Sequence, residues 1–313
     1  MWLGFLNVRK GLLQVLLPAL RVLPPRTASR IVGSLGRAEY LLNPPLRHRF
    51  HTALERGARH FGCHWEMSAL GSDLAANHLR WRARDLLLDG LSNQEAAPMF
   101  NVEGREALDA AFAQGKGVLL LFNHFGPFLM PAHWLVREGY PLRWLTERPR
   151  HISKLVERTF ESDGPFGQRR LFMSRKAGVA EGGSSIRRAV RILKAGMIVQ
   201  IAGDVRGSGP RTAPGMFLGQ SYTFTTTWLT LAALAGSSVV PAFSWIEPDG
   251  TYHLEFLPAF SIPSDTPKKS DFAPWVQRYL DAIEERVKRH PANSGDYLFW
   301  AETNDYLAPA TSP

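Results

Sequence analysis

Cysteine is nearly missing from this chain, in which Cys63 is the only one among 313 residues. A single thiol excludes an internal disulfide and any cysteine-rich metal centre. The sequence also contains no H-E-x-x-H motif and neither of the common glycine-rich phosphate-binding patterns. We therefore expect no metal site and no resident cofactor.

Long hydrophobic runs are missing as well. The first 24 residues are mostly apolar and contain no acidic residue, but Gln14 and Pro18 interrupt the longest run. A helix that crosses a bilayer needs about 20 mostly apolar residues, so we predict that residues 1–24 form an amphipathic helix in the membrane surface. A helix that packs on the protein's own core is the alternative. No small-residue cleavage site follows, which argues against a signal peptide.

Acidic residues are outnumbered, with 28 Asp and Glu against 37 Lys and Arg and a net charge of +9. Such a charge indicates an anionic partner, which can be a membrane surface, a nucleic acid or a phosphorylated substrate. The basic residues are scattered in pairs such as Arg187-Arg188 rather than gathered in a tract. No motif of a nucleic-acid reader accompanies them, so we expect no nucleic-acid partner.

The pattern of apolar residues predicts an α/β fold. Residues 25–100 have helical periodicity, whereas 117–122 (GVLLLF) and 197–202 (MIVQIA) are short, wholly apolar runs typical of strands buried on both faces. Helical segments alternate with such strands from residue 102 onward. We predict a central, mainly parallel or mixed sheet flanked by helices, in a single domain over residues 25–313 with a helical N-terminal part.

Polar residues follow the two apolar strands directly. Asn123 and His124 come after GVLLLF, and Asp204 follows MIVQIA after one glycine. Sites in α/β sheets gather beyond the carboxyl ends of the strands, and histidine can act as a general base near neutral pH. His124 is therefore the candidate catalytic residue, although a lone histidine can also be structural. The Gly- and Pro-rich segment 204–220 is interpreted as a lid over the site.

Several segments resemble the lipid A biosynthesis acyltransferase family of the glycerolipid acyltransferase group. The segment from Asn123 to Leu129 (NHFGPFL) is similar to the family's H-F-G-N-W-E block, and Arg148-Pro149 to its R-P element. Further similar segments, in the family's order, are Ala202-Gly203-Asp204, Phe217-Leu218-Gly219, Val239-Val240-Pro241 and Tyr297-Leu298-Phe299-Trp300.

The resemblance implies that His124 removes a proton from an acceptor, which then attacks an acyl thioester. Backbone amides near Gly126 would hold the oxyanion, and Asn123 would hydrogen-bond the histidine or the substrate. Arg148 and Arg206 would bind a substrate phosphate. In the family, four residues separate the histidine from an Asp or Glu. This chain has Leu129 at that position, and no Asp or Glu occurs between Asp109 and Glu138.

Three readings of this departure remain open. Asp204 or Glu147 can replace the missing carboxylate, His124 can act alone as a weaker base, or the site can bind lipid without catalysis. The third reading makes the protein an accessory protein that binds lipid or acyl carrier, and hydrolysis of the thioester is a further alternative.

The resemblance also implies partners and a location. The co-substrate would be acyl-CoA or acyl carrier protein, the acceptor a hydroxyl or an amine, and the location the cytoplasmic face of the bacterial inner membrane. The oligomeric state, the acyl length and the identity of the acceptor stay open.

Overall fold

A computed structural model describes residues 19–20, 22–88, 90–147, 170–173, 179–264 and 272–302. The predicted surface helix over residues 1–24 lies almost wholly outside the described residues. Within the described ranges, no helix combines the length and the apolar character needed to cross a membrane.

Three long helices precede the sheet, as the periodicity of residues 25–100 predicts. They are α1 (Pro25–Leu42), α2 (Pro44–Phe61) and α3 (Met67–Leu88). Asn43 caps α2 by accepting a hydrogen bond from the amide of Leu46, and Gly62 ends it in the left-handed conformation. The later helices are α4 (Asn93–Ala96), α5 (Arg105–Ala113), α6 (Met130–Arg137), α7 (Val179–Lys194), α8 (Thr227–Ala235), α9 (Ala273–Arg289) and α10 (Gly295–Leu298).

A mixed sheet forms the centre of the protein. Its strands are β1 (Phe100–Glu103), β2 (Val118–Phe122), β3 (Leu142–Glu147), β4 (Arg170–Met173), β5 (Ile198–Ala202), β8 (Ser238–Ile246), β9 (Tyr252–Phe256) and β10 (Phe260–Ser261). They lie in the order β1-β9-β8-β2-β5-β3-β4, with β10 beside β8. Strands β8, β2, β5, β3 and β4 run parallel, whereas β9 and β10 pair with β8 antiparallel. The predicted α/β class and mixed sheet are confirmed.

Both faces of the sheet are covered, and β2 shows why its sequence is wholly apolar. Leu119 and Leu121 belong to one core cluster with side chains of α7, α8 and α9. The alternate residues of β2 belong to a second cluster with side chains of α5 and α6. Successive side chains of a strand point to opposite faces, so a strand between two helical layers needs apolar residues at every position.

The segment between Asp204 and Gln220 differs from the predicted lid. It contains β6 (Thr212–Phe217), which forms an antiparallel hairpin with β7 (Gln220–Thr225). Phe217 and Phe224 of this hairpin are fully buried in the core cluster that includes α9. The interpretation as a lid is therefore wrong. The glycine and proline of β6 hid its alternation of buried and exposed residues from the sequence pattern.

Candidate active site

His124 and Asp204 meet at the carboxyl edge of the sheet. The ring Nδ1 of His124 lies 2.9 Å from Oδ2 and 3.0 Å from Oδ1 of the Asp204 carboxylate. The backbone amide of His124 also donates to Oδ2, at 2.9 Å. One carboxylate thus fixes both the ring and the backbone of the histidine.

The register of β2 and β5 explains this encounter. The strands are parallel neighbours, and Phe122 stands opposite Ala202 in their ladder. The amide of Gly203 donates to the carbonyl of Phe122 at 2.8 Å, so the pairing continues one step beyond the strands. His124 and Asp204 each lie two residues past the end of their strand and therefore arrive side by side.

The Asp204 carboxylate is buried and ionised. It is 1% exposed and accepts a third hydrogen bond from the Tyr297 hydroxyl at 2.7 Å. Burial alone would raise the pKa of Asp204, but attraction by His124 and the three donors hold it below the ordinary value. The same carboxylate, together with burial, raises the pKa of the Tyr297 hydroxyl well above its ordinary value, so Tyr297 remains a donor.

The His124 ring is partly accessible, with 37% of its side chain exposed. Burial lowers the pKa of His124, and the nearby Asp204 charge and hydrogen bond raise it, leaving a net increase. Because an ionised carboxylate can only accept, Nδ1 carries a hydrogen in the neutral ring and Nε2 holds the free lone pair. The ring is therefore set up to take a proton at Nε2.

A shallow cleft opens to solvent beside the His124 ring, with an enclosed volume of about 30 Å³. Its lining includes the side chains of α3 and of the C-terminal segment, among them Asn77, His78, Trp81, Asn293 and Asp296. The Asp296 charge also raises the pKa of His124. Desolvation by the surrounding protein and repulsion from Asp204 raise the pKa of Asp296 itself, although the attraction of His124 lowers it. The cleft thus combines a base, a second carboxyl group and apolar surface.

Gly126 lines the cleft, but its amide is already in use. The amide donates to the carbonyl of Asn293 at 2.9 Å. Gly126 has φ of 56°, and a Cβ at this position would collide with the Ser244 carbonyl. Glycine therefore allows the close approach of two backbones, and its N–H does not point free into the cleft as an oxyanion donor.

Asn123 is turned into the protein. It is 1% exposed, and its side-chain nitrogen donates to the Ala242 carbonyl at 3.3 Å and the Tyr279 hydroxyl at 3.1 Å. Its side-chain oxygen accepts from the amide of Phe125 at 3.0 Å. These bonds hold the turn that presents His124, and they leave Asn123 away from a substrate in the cleft.

The remaining predicted residues are Arg206, Glu147 and Arg148. The guanidinium of Arg206 is 4.1 Å from the centre of the Trp300 ring, and Arg206 is not among the residues that line the cleft. Glu147 ends β3, with a side chain outside the described residues, and Arg148 lies outside them altogether.

Leu129 occupies the place of the family's acidic residue, and it is part of the core. It is 8% exposed and packs in the cluster that contains Phe122 and Trp134. An apolar side chain in this cluster cannot orient the His124 ring by a hydrogen bond.

Sequence reasoning assigned no role to Tyr297 and Asp296. Both belong to the C-terminal segment, about 170 positions beyond His124, and only the fold brings them to the site. The aromatic segment from Tyr297 to Trp300 indicates the family, but its sequence does not indicate that Tyr297 contacts Asp204.

The geometry agrees with comparison to known families. A family model of the bacterial lipid A biosynthesis acyltransferase matches residues 79–299, which is more than half of the chain. A search of the curated proteins found no match. The matched range contains the whole mixed sheet and both members of the His124–Asp204 pair, and the chain therefore belongs to the bacterial lipid A biosynthesis acyltransferase family.

Proposed function

We propose that this acyltransferase-family protein moves a fatty acyl group from a thioester to a hydroxyl or amine acceptor at a membrane surface. The donor is acyl-CoA or acyl carrier protein. The observation that carries the proposal is the His124–Asp204 hydrogen bond beside an open cleft. It supplies an oriented base even though Leu129 removes the acid of the family motif.

The proposed reaction has two proton transfers. The acceptor O–H or N–H gives its proton to Nε2 of His124 while the acceptor atom attacks the thioester carbonyl. The tetrahedral intermediate then collapses, the C–S bond breaks, and the imidazolium returns the proton to the leaving thiolate. Asp204 stays ionised and stabilises the imidazolium, as the buried carboxylate of a catalytic triad does.

The polar contacts of Asp204 favour catalysis over a relic site. A buried charge with three hydrogen-bond donors is costly to maintain without a use for it. The net rise in the pKa of His124 means that the pair stabilises the protonated intermediate state of the reaction. An accessory protein would need only the cleft and no oriented histidine.

The test is acyl transfer by the full chain on phospholipid vesicles, with lauroyl-, myristoyl- and palmitoyl-CoA and the matching acyl carrier protein thioesters. Lipid A precursors serve as acceptors, and mass spectrometry identifies the products. We expect transfer by the native protein, loss in His124→Ala and no loss in His48→Ala, which changes an exposed histidine of α2.

Three outcomes discriminate the alternatives. Free fatty acid without acylated acceptor indicates a thioester hydrolase. Binding of thioester without turnover indicates an accessory protein. Transfer that survives His124→Ala contradicts the assignment of His124 as the base.

A further inference from the structure

A second cavity lies behind the His124–Asp204 pair. It measures about 250 Å³, and its walls come from α2, the β6–β7 hairpin and the C-terminal segment. Tyr297 lines this cavity while its hydroxyl bonds Asp204, so Tyr297 and the short α10 separate the cavity from the cleft.

The cavity carries positive charge on one wall. Arg56, Arg59 and His60 of α2 line it, and no carboxylate is among the lining residues of the described chain. Glu284 contacts two residues that line the cavity. It pairs with Nε2 of His60 at 3.2 Å and also accepts from the amide of Leu218. Neither Arg56 nor Arg59 has an ion pair with a carboxylate among the described residues, so both are available to a ligand.

Arg56 is the most informative of these groups. Its Nη1 atom is buried and has no hydrogen-bond partner among the described residues. Burial raises the pKa of the Tyr222 hydroxyl while the charges of Arg206 and Arg56 lower it, so both guanidinium groups lie near this side chain. A buried donor without a partner destabilises a fold, so it indicates a ligand that accepts the bond.

The opposite wall is aromatic. Tyr222 and Trp300 line it with ring centres 5.7 Å apart, and Trp300 also lies under the Arg206 guanidinium. An oxyanion can occupy the arginine side while an apolar portion of the same ligand contacts the rings. Arginine matches the oxygens of phosphate in a bidentate way, and two arginines suit its double charge.

We infer that this cavity is a binding site for a phosphate ester, held by Arg56 and Arg59 and separate from the His124 cleft. The phosphate can belong to a lipid headgroup or to a soluble phosphorylated molecule. The inference does not depend on acyl transfer, because it concerns binding alone.

Isothermal titration of the full chain with inorganic phosphate, at constant ionic strength, tests the site. We expect one saturable site that is about ten- to a hundredfold weaker in Arg56→Gln, because hydrogen bonds to charged groups have that effect. Arg188→Gln, which removes an exposed arginine of α7, is the matched control and leaves binding unchanged. His124→Ala also leaves it unchanged, which separates this site from the proposed chemistry.

Flotation with phosphatidic acid vesicles, compared with phosphatidylcholine vesicles, distinguishes the sources. Binding of inorganic phosphate that depends on Arg56 supports a soluble ester. Vesicle binding that depends on Arg56, with weak binding of free phosphate, supports a lipid headgroup.

Thermal melting of each variant checks that it is folded, and a second variant serves as a further control. Arg59→Gln changes an exposed side chain of the same wall and is expected to weaken binding less than Arg56→Gln. The inference is overturned if the native protein binds neither phosphate nor vesicles. It is also overturned if the native, Arg56→Gln and Arg59→Gln proteins bind them equally well.

Discussion

The cleft beside His124 and the cavity lined by Tyr297 differ in how their polar groups are used. In the cleft, Asp204 accepts from three donors and holds the His124 ring. In the cavity, Nη1 of Arg56 is buried without a hydrogen-bond partner among the described residues. A site for proton transfer needs its groups aligned in advance, whereas a site for an anion keeps donors ready for the ligand. The difference assigns chemistry to the cleft and binding to the cavity.

The strongest way to break this comparison is Asp204→Asn. An amide cannot stabilise the imidazolium, and we expect turnover to fall by about 10³- to 10⁴-fold, as for other histidine–carboxylate pairs. The pKa of His124 should fall, since burial still lowers it while the Asp204 charge that raises it is gone.

The measurement is the rate of acyl transfer against pH. The reactive histidine is neutral, so the native rate rises as the pH rises through a pKa above the ordinary value. In Asp204→Asn this limb moves to lower pH. Unchanged turnover and an unchanged profile would contradict the role given to Asp204, and phosphate binding in the cavity is the control.

Leu129→Glu restores the family's acid and tests whether its position still matters. The side chain is 8% exposed in an apolar cluster, so a carboxyl group there should reduce the free energy of unfolding by about 3 kcal/mol. Activity should not rise, because Asp204 already holds Nδ1. Denaturant unfolding measures the loss, with Leu129→Met as a control expected to change stability by less than about 1.5 kcal/mol.

Tyr297→Phe removes the hydroxyl that joins the cavity wall to Asp204. Asp204 keeps its bonds to His124 but loses one donor, and we expect turnover to fall by about tenfold. In the native protein the pKa of Asp204 lies below its ordinary value, and it should rise in the variant. A lowered carboxyl pKa stabilises the fold above the unfolded pKa, and this contribution is lost as the pH falls through the folded pKa.

The acid limb of stability therefore moves to higher pH in Tyr297→Phe, which thermal melting across the acid range detects. Full turnover with an unshifted limb would show that the Tyr297 hydroxyl has no influence on Asp204.

Much of the fold was predictable because it depends on local pattern. The apolar runs over 117–122 and 197–202 correspond to β2 and β5, and the residues that follow them meet as parallel strands require. Strands β1 and β4 were missed, since each has only four residues.

The site was predictable only in part, for a physical reason. His124 and Asp204 are marked by the strands they follow, whereas Tyr297 and Asp296 reach the site through tertiary packing of a distant segment. The orientation of Asn123 and the use of the Gly126 amide depend on single hydrogen bonds, which no sequence pattern encodes.

The smallest expected effect belongs to Asp296→Asn. The Asp296 charge raises the pKa of His124 without a hydrogen bond to the ring among the described contacts. Its removal should shift the pH profile slightly toward lower pH and leave the maximal rate nearly unchanged. A large loss of turnover would instead assign Asp296 a direct contact with the substrate.

The most direct test of the account is ¹⁵N NMR of the His124 ring as a function of pH. We predict a pKa above the ordinary value for histidine and, in the neutral form, a hydrogen on Nδ1 with a bare Nε2. A neutral ring that carries its hydrogen on Nε2, or a pKa at or below the ordinary value, would contradict an Asp204-oriented base.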